Sequence, residues 1–397
     1  MKVNGILRDL RTLKKTVTIR KKRIMDASPK PLRHDPIKGL ARILHPEKNK
    51  LRIKSIVDVS QDVKLIRFVK ASQKEAKLPV FQSGQYLSLR IDMEETSVTR
   101  PYFICSPPFK ALPIINEDVM CEPYIEIILV KKESSTSNKY LWGNLKVGDE
   151  IEASLPHGKF FYEPLRDSSN LVALSEDAGI GIFYSMMCEI IEKNLELNII
   201  LFYKNKLLKD NNLFYNLKKL IEEAPTKLSV TILEENQNFS DEIVKLGEEI
   251  INKSTYFICG SQNMYEDLCS TLSKLNIPRR RIRKQIYGEY KNIYDDINFP
   301  EEAKEKIFKI TVVINGEEKV IDSCPGETVL ATLEKAEIKK ASHCRSGECG
   351  FCRSRIVEGD VFVNSLLDTR RMVDKEFGYF HPCVSFPITD IKIDIIN

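Results

Sequence analysis

Four cysteines near the C-terminal end restrict this chain more than any other feature. Cys344, Cys349 and Cys352 follow a C-x4-C-x2-C spacing, and Cys383 is separated from Cys352 by 30 residues. An iron–sulfur centre needs four thiolates converging on one small volume. Three can come from one tight loop if small residues let the backbone wrap around it, and Ser346, Gly347 and Gly350 supply them. The fourth must return from elsewhere in the same fold. Zinc sites favour two separated C-x2-C pairs, whereas this spacing is that of a plant-type [2Fe–2S] centre. The other six cysteines, Cys105, Cys121, Cys188, Cys259, Cys269 and Cys324, are scattered and read as small buried hydrophobes.

Free thiols belong in a reducing compartment. The opening residues are charged where an export signal needs an apolar core, and no run of 18 apolar residues occurs. A cytoplasmic protein with no transmembrane segment is expected. Residues 1–54 hold 17 Lys/Arg and 4 Asp/Glu, against 44 and 52 in the remainder. A basic arm on an acidic body is suited to docking an acidic protein partner, or to folding back on that body. No aromatic residues interleave with the basic ones, which argues against nucleic acid.

Four segments are expected. Residues 1–50 form the basic extension, with a short helix over Pro36 to Leu44. Residues 51–165 carry short alternating strands and few helices, the pattern of an antiparallel β-barrel. From residue 166 to 299 apolar strands alternate with helices, one of them from Asp241 to Ile251, which is the pattern of a parallel α/β sheet. Residues 300–397 open on two strands around Asn315 and Gly316, a two-residue hairpin turn, and contain the cysteine loop.

This order resembles the ferredoxin–NADP reductase superfamily, in the three-domain arrangement of phthalate-dioxygenase-type reductases, from residue 51 onward. Gly84, Gln85 and Tyr86 are similar to the family's G-Q-Y/F, and Arg100, Pro101 and Tyr102 to its R-x-Y. The resemblance implies a barrel that binds a flavin, an α/β domain of NAD(P)-binding type, and a β-grasp ferredoxin domain. It implies that Gln85, Tyr86, Tyr102 and Phe103 lie along the flavin ring. Arg100, whose guanidinium offers a fixed fork to phosphate oxygens, would bind the flavin phosphate with Ser137. Phe103 stands where relatives usually have Ser or Thr, so it cannot donate a hydrogen bond toward flavin N5. FAD is the expected flavin, with FMN left open.

The nucleotide motifs depart further. A glycine-rich G-G-x-G-I-x-P turn lets a pyrophosphate approach backbone N–H groups at a helix N-terminus. Here Gly179 and Ile180 remain, but Glu176 and Asp177 replace the glycine pair and Ile182 the proline. Lys206 stands for an arginine in a Y-G-x-R motif, and Cys259, Gly260 and Ser261 for C-G-P. By resemblance Gly179, Lys206 and Cys259 would line the NAD(P)H pocket, while the two carboxylates argue against ordinary NAD(P)H binding. Two functions therefore compete. One is a flavin- and [2Fe–2S]-dependent oxidoreductase fed by NAD(P)H and serving a protein acceptor. The other is an electron-transfer subunit whose α/β domain no longer binds nucleotide. A cofactor-free structural relative is disfavoured by the complete set of four cysteines.

Overall fold

In the computed structural model the described residues are 6–27, 48–72, 77–93, 96–116, 119–132, 135–204, 212–234, 236–286, 290, 293–314 and 316–395. The alternating segments form one antiparallel sheet of six strands. Its order is Ser97–Phe103, Tyr86–Asp92, Glu150–His157, Asn49–Ser60, Val63–Lys70, Ile125–Val130. A lone antiparallel bridge between Ile104 and Ile127 joins the first strand to the last and closes the barrel. Inward-facing Leu51, Ile53, Phe68, Leu87, Leu89 and Ile127 fill it. The helix Thr136–Asn144 begins at Ser135, whose hydroxyl accepts the Asn138 N–H, and adds Leu141 to the same core.

The α/β segment forms a parallel sheet ordered Leu228–Leu233, Asn198–Lys204, Asn170–Glu176, Thr255–Gly260, Ile282–Ile286. The middle strands are buried on both faces and read as continuous apolar runs, as a helix-covered parallel sheet requires. The fifth strand, rich in basic residues, is not anticipated by pattern. The single helix expected from Asp241 to Ile251 is two, Phe239–Lys245 and Glu248–Lys253. Gly247 between them has φ +80°, a left-handed conformation that ends one helix before the next begins.

The last segment is a mixed five-stranded sheet ordered Glu317–Ser323, Phe308–Ile314, Ile391–Asp394, Ser354–Glu358, Tyr379–Phe380, with the helix Val329–Lys335 packed on it. Ile314 pairs with Glu317 across the expected two-residue turn, where Gly316 has φ +94°. A 20-residue helix, Ile6–Met25, occupies the basic arm, and the helix expected over residues 36–44 lies outside the described residues. Among the described residues no helix is long and apolar enough to cross a membrane. Cys105 and Cys259 are buried as expected, but Cys188 and Cys269 are half-buried. Cys324, at a strand end before the Pro325–Gly326 turn, is exposed, which corrects the uniform expectation of burial.

One ion pair ties the fifth strand to the chain that leaves the barrel. Asp167, with a fully buried side chain, receives Arg283 Nε at 2.7 Å, Arg166 Nη2 at 2.7 Å and the Glu163 backbone N–H at 3.0 Å. Burial alone would push this carboxyl up, but the three donors outweigh it and hold it below the usual range. Asp167→Ala is expected to cost about 3–5 kcal/mol in urea unfolding, because it strips a buried guanidinium of its carboxylate. The stabilisation is present above the ordinary Asp value of about 3.9 and is lost as pH falls through the lower folded value. Between neutral pH and about pH 3, the variant should therefore lose less stability than the parent.

Candidate functional site

The cysteine loop is built by three left-handed residues, Arg345 (φ +54°), Gly347 (+78°) and Gly350 (+73°). A Cβ on Gly347 would stand 2.9 Å from the Leu367 carbonyl, so only glycine fits there. Cys344, Cys352 and Cys383 are buried and Cys349 is partly so. The Cys352 and Cys383 sulfurs lie 3.4 Å apart. The backbone N–H groups of Ser346 and Cys349 both donate to Cys344 Sγ, each at 3.4 Å. Hydrogen bonds from Cys349 and Cys383, with those N–H groups, hold the Cys344 thiol well below its ordinary value. Four sulfurs sharing one enclosed volume, with backbone donors aimed at them, fit a [2Fe–2S] cluster.

Arg345 is held by a side chain that the sequence gives no reason to single out. Its guanidinium makes a two-pronged pair with Glu334, at 2.6 and 2.9 Å, and its side chain is 2% exposed. Glu334 sits on the Val329–Lys335 helix and also lies 3.8 Å from Arg100 Nη1 of the barrel. Arg100 Nε donates to Ser137 Oγ at 2.9 Å, at the first turn of the Thr136–Asn144 helix. A guanidinium, a hydroxyl and a helix N-terminus form the donor-rich set that suits a flavin phosphate. Glu334 thus reaches both the cysteine loop and the Arg100–Ser137 pair.

The GQY strand is pinned at its start. Gly84 has φ +108°, and a Cβ there would stand 1.8 Å from the Phe160 carbonyl oxygen. Gln85 Nε2 donates to the Gly158 carbonyl at 3.2 Å. Tyr102 packs on the barrel core, while Phe103, on the opposite face of the strand, packs on the α/β cluster with Phe160, Phe183 and Phe257.

Tyr86 is buried, and burial, reinforced by the charge of Cys344 and Cys349, drives its phenol far above the ordinary value. Its ring lies 5.5 Å from that of His157. His157 stacks on His343 at 4.5 Å with 25° between planes, and His343 meets Phe351 edge-on at 4.0 Å. Burial lowers His343 to about 4, so it is neutral at pH 7. The barrel strand and the cysteine loop therefore touch through Tyr86, His157 and His343. Among these His157 and His343, like Glu334, are absent from the sequence-based set, since only long-range contact identifies them.

The expected nucleotide residues fall differently. Gly179 and Cys259 come together, but in the core, with Cys259 fully buried and its thiol raised by burial. Lys206 lies outside the described residues.

Comparison with known proteins agrees with this architecture. The model of the oxidoreductase FAD-binding domain matches residues 50–162, and that of the 2Fe-2S iron-sulfur cluster binding domain matches residues 312–387. The ferredoxin reductase component of 3-ketosteroid-9-alpha-monooxygenase from Rhodococcus rhodochrous is 24% identical over 353 residues, covering 87% of this chain and 96% of that protein. The carnitine monooxygenase reductase subunit of Escherichia coli is 22% identical over 315 residues, covering 78% of this chain and 87% of that one. The structure of phthalate dioxygenase reductase superposes with a TM-score of 0.60 at 16% identity, over 88% of this chain and 98% of the other.

Glu334→Ala removes the carboxylate from a buried guanidinium and is expected to destabilise the C-terminal sheet by about 3–5 kcal/mol. Denaturant unfolding followed at the visible chromophore measures this. A loss under about 1 kcal/mol, the range of an exposed pair, would refute it.

Proposed function

We propose that this chain, a three-domain flavin and [2Fe–2S] reductase of the ferredoxin–NADP reductase superfamily, moves electrons between FAD in its barrel and a cluster on Cys344, Cys349, Cys352 and Cys383. It exchanges those electrons with a protein partner. The observation that supports this most is the stack on His343 of His157, the strand partner of Tyr86, which sets the barrel against the cysteine loop. When bound, FAD supplies the conversion between paired and single electrons that links two-electron to one-electron chemistry.

On this reading the chain's own side chains have separate tasks. Arg100 and Ser137 bind the flavin phosphate, where a fixed guanidinium fork favours a tetrahedral anion. Gln85 is fixed by Gly158, and the half-buried Tyr102 offers a ring to the isoalloxazine, while Tyr86 is enclosed by the protein itself. Phe103 has no hydroxyl to donate, so no side-chain hydrogen bond from this position reaches N5. Tyr86, His157 and His343 exclude water between the two centres, which keeps the intervening dielectric low. Glu334 keeps Arg345, and with it the cysteine loop, in register with the barrel.

The partner reading rests on relatives named as reductase components of monooxygenases, so an oxygenase component is the acceptor proposed here. The Ile6–Met25 helix supports docking on an acidic protein surface. It carries eight Lys/Arg against one Asp and leaves Leu10, Leu13 and Val17 exposed. Outside the cluster set, Cys105, Cys188, Cys259, Cys269 and Cys324 are free thiols, which accords with a cytoplasmic setting.

Cys383→Ala tests the assignment of the cluster. The variant should lose the iron–sulfur visible and electron-paramagnetic-resonance signals while keeping flavin absorbance. Retention of those signals at parental intensity would remove Cys383 from the ligand set.

A further inference from the structure

In an open parallel sheet, ligands enter the crevice outside the carboxyl ends of the strands, at the point where the strand order reverses. Here Asn170–Glu176 has Asn198–Lys204 on one side and Thr255–Gly260 on the other, so the reversal falls between Glu176 and Gly260. A dinucleotide needs bare backbone N–H groups and little side-chain bulk at that place, so that its pyrophosphate can reach a helix N-terminus.

This chain fills the place with its own carboxylate. Glu176 Oε1 accepts the backbone N–H of Ser261 at 2.6 Å, at the start of the Gln262–Lys274 helix. The Ser261 hydroxyl accepts the Met264 N–H at 3.3 Å and caps the same turn. Glu176 also lies along Gly260. A Cβ on that glycine would stand 3.0 Å from Glu176 Cγ and 3.1 Å from Oε1. Asp177 follows in the left-handed region, at φ +47°, and its carbonyl accepts the Tyr203 hydroxyl at 3.0 Å. Gly179 leaves no opening either. A Cβ there would stand 2.6 Å from Ser175 Oγ and 2.9 Å from Cys259 Sγ, so its missing side chain is used up by helix-on-strand packing. Among the described residues, Glu176, Asp177 and Gly179 do not fit NAD(P)H.

We propose that Glu176 is the residue that shuts this crevice to pyridine nucleotides. Its carboxylate, held by the Ser261 N–H, fills the crevice at the strand-order reversal, and its charge opposes the pyrophosphate. Reducing equivalents then come from a reduced carrier protein instead of a pyridine nucleotide. That carrier is oxidised as this protein is reduced, and no hydride or proton passes through the α/β domain. The inference rests on the flavin–cluster reading only for the destination of the electrons; the closed crevice stands apart from it.

The test uses the full chain loaded with both cofactors under anaerobic conditions. NADH and then NADPH are added, dithionite last, while the visible spectrum is followed. NADH affinity is measured in parallel by its fluorescence for the parent, E176G and E176Q. Neither nucleotide should bleach the parent protein, and dithionite should. E176G should bind NADH about tenfold tighter or more than the parent. E176Q, which keeps an acceptor without the charge, should fall between them. Bleaching of the parent by either nucleotide within seconds overturns the proposal, as does equal NADH affinity in parent and E176G. Should E176G not fold, equal affinity in parent and E176Q overturns it. A protein that dithionite cannot bleach refutes the flavin–cluster reading instead, and the affinities still judge Glu176.

Discussion

The arrangement depends on a requirement of sulfur chemistry that backbone conformation has to meet. Four thiols have to reach one enclosed volume, and three of them come from a loop of nine residues. Such a loop closes only where residues adopt left-handed angles, and one of these is Arg345, a non-glycine with a buried charge. A guanidinium in that place needs a carboxylate, and Glu334 supplies it from the neighbouring helix. Glu334 in turn lies beside Arg100 of the barrel. Loop geometry, buried charge and the placing of two domains are thus one connected problem, solved by a single acidic side chain.

The contacts between barrel and α/β sheet are of a different kind. Gly181 of the helix Ile180–Glu192 sits against Cys105, where an added Cβ would stand 2.6 Å from the Cys105 Cβ. Ser83 donates to Glu189 Oε2 at 2.7 Å, and Ser185 donates to the Ser106 carbonyl at 3.0 Å. Small residues and short hydroxyls let two backbones come close without leaving polar groups unsatisfied. The barrel therefore meets one neighbour through packed apolar and small residues and the other through charge and stacked rings.

Patterns that depend on near neighbours in the chain were legible in the sequence. Alternation marked residues 51–165 as strands such as Tyr86–Asp92, and apolar runs marked the central parallel strands. The strand Ile282–Ile286 was not legible, because Arg283 and Lys284 mask its apolar residues. Arg283 finds its partner in Asp167, 116 positions away. In the arm, charge obscured Ile6, Leu10, Leu13, Val17 and Ile24, whose spacing of three, four and seven suits a helix. The convergence of the four cysteines could be read because metal-ligand spacing is local, apart from Cys383. Glu334 and His157 could not, since one sequence holds no record of which distant residues meet. A glycine such as Gly179 is visible as a letter, but which neighbour needs its missing side chain is a matter of three dimensions.

The barrel is closed by one bridge, Ile104 to Ile127, with the Cys105 N–H donating to the Glu126 carbonyl beside it. A seam this thin would be the first place for the cylinder to breathe, yet the Gly181 turn of the α/β helix lies directly over it. Opening the seam requires lifting that helix from the strand ends. Amide exchange at Ile104 and Cys105 is therefore expected to track exchange in the Ile180–Glu192 helix. The flavin domain of this chain is consequently a poor candidate for excision as an independent module.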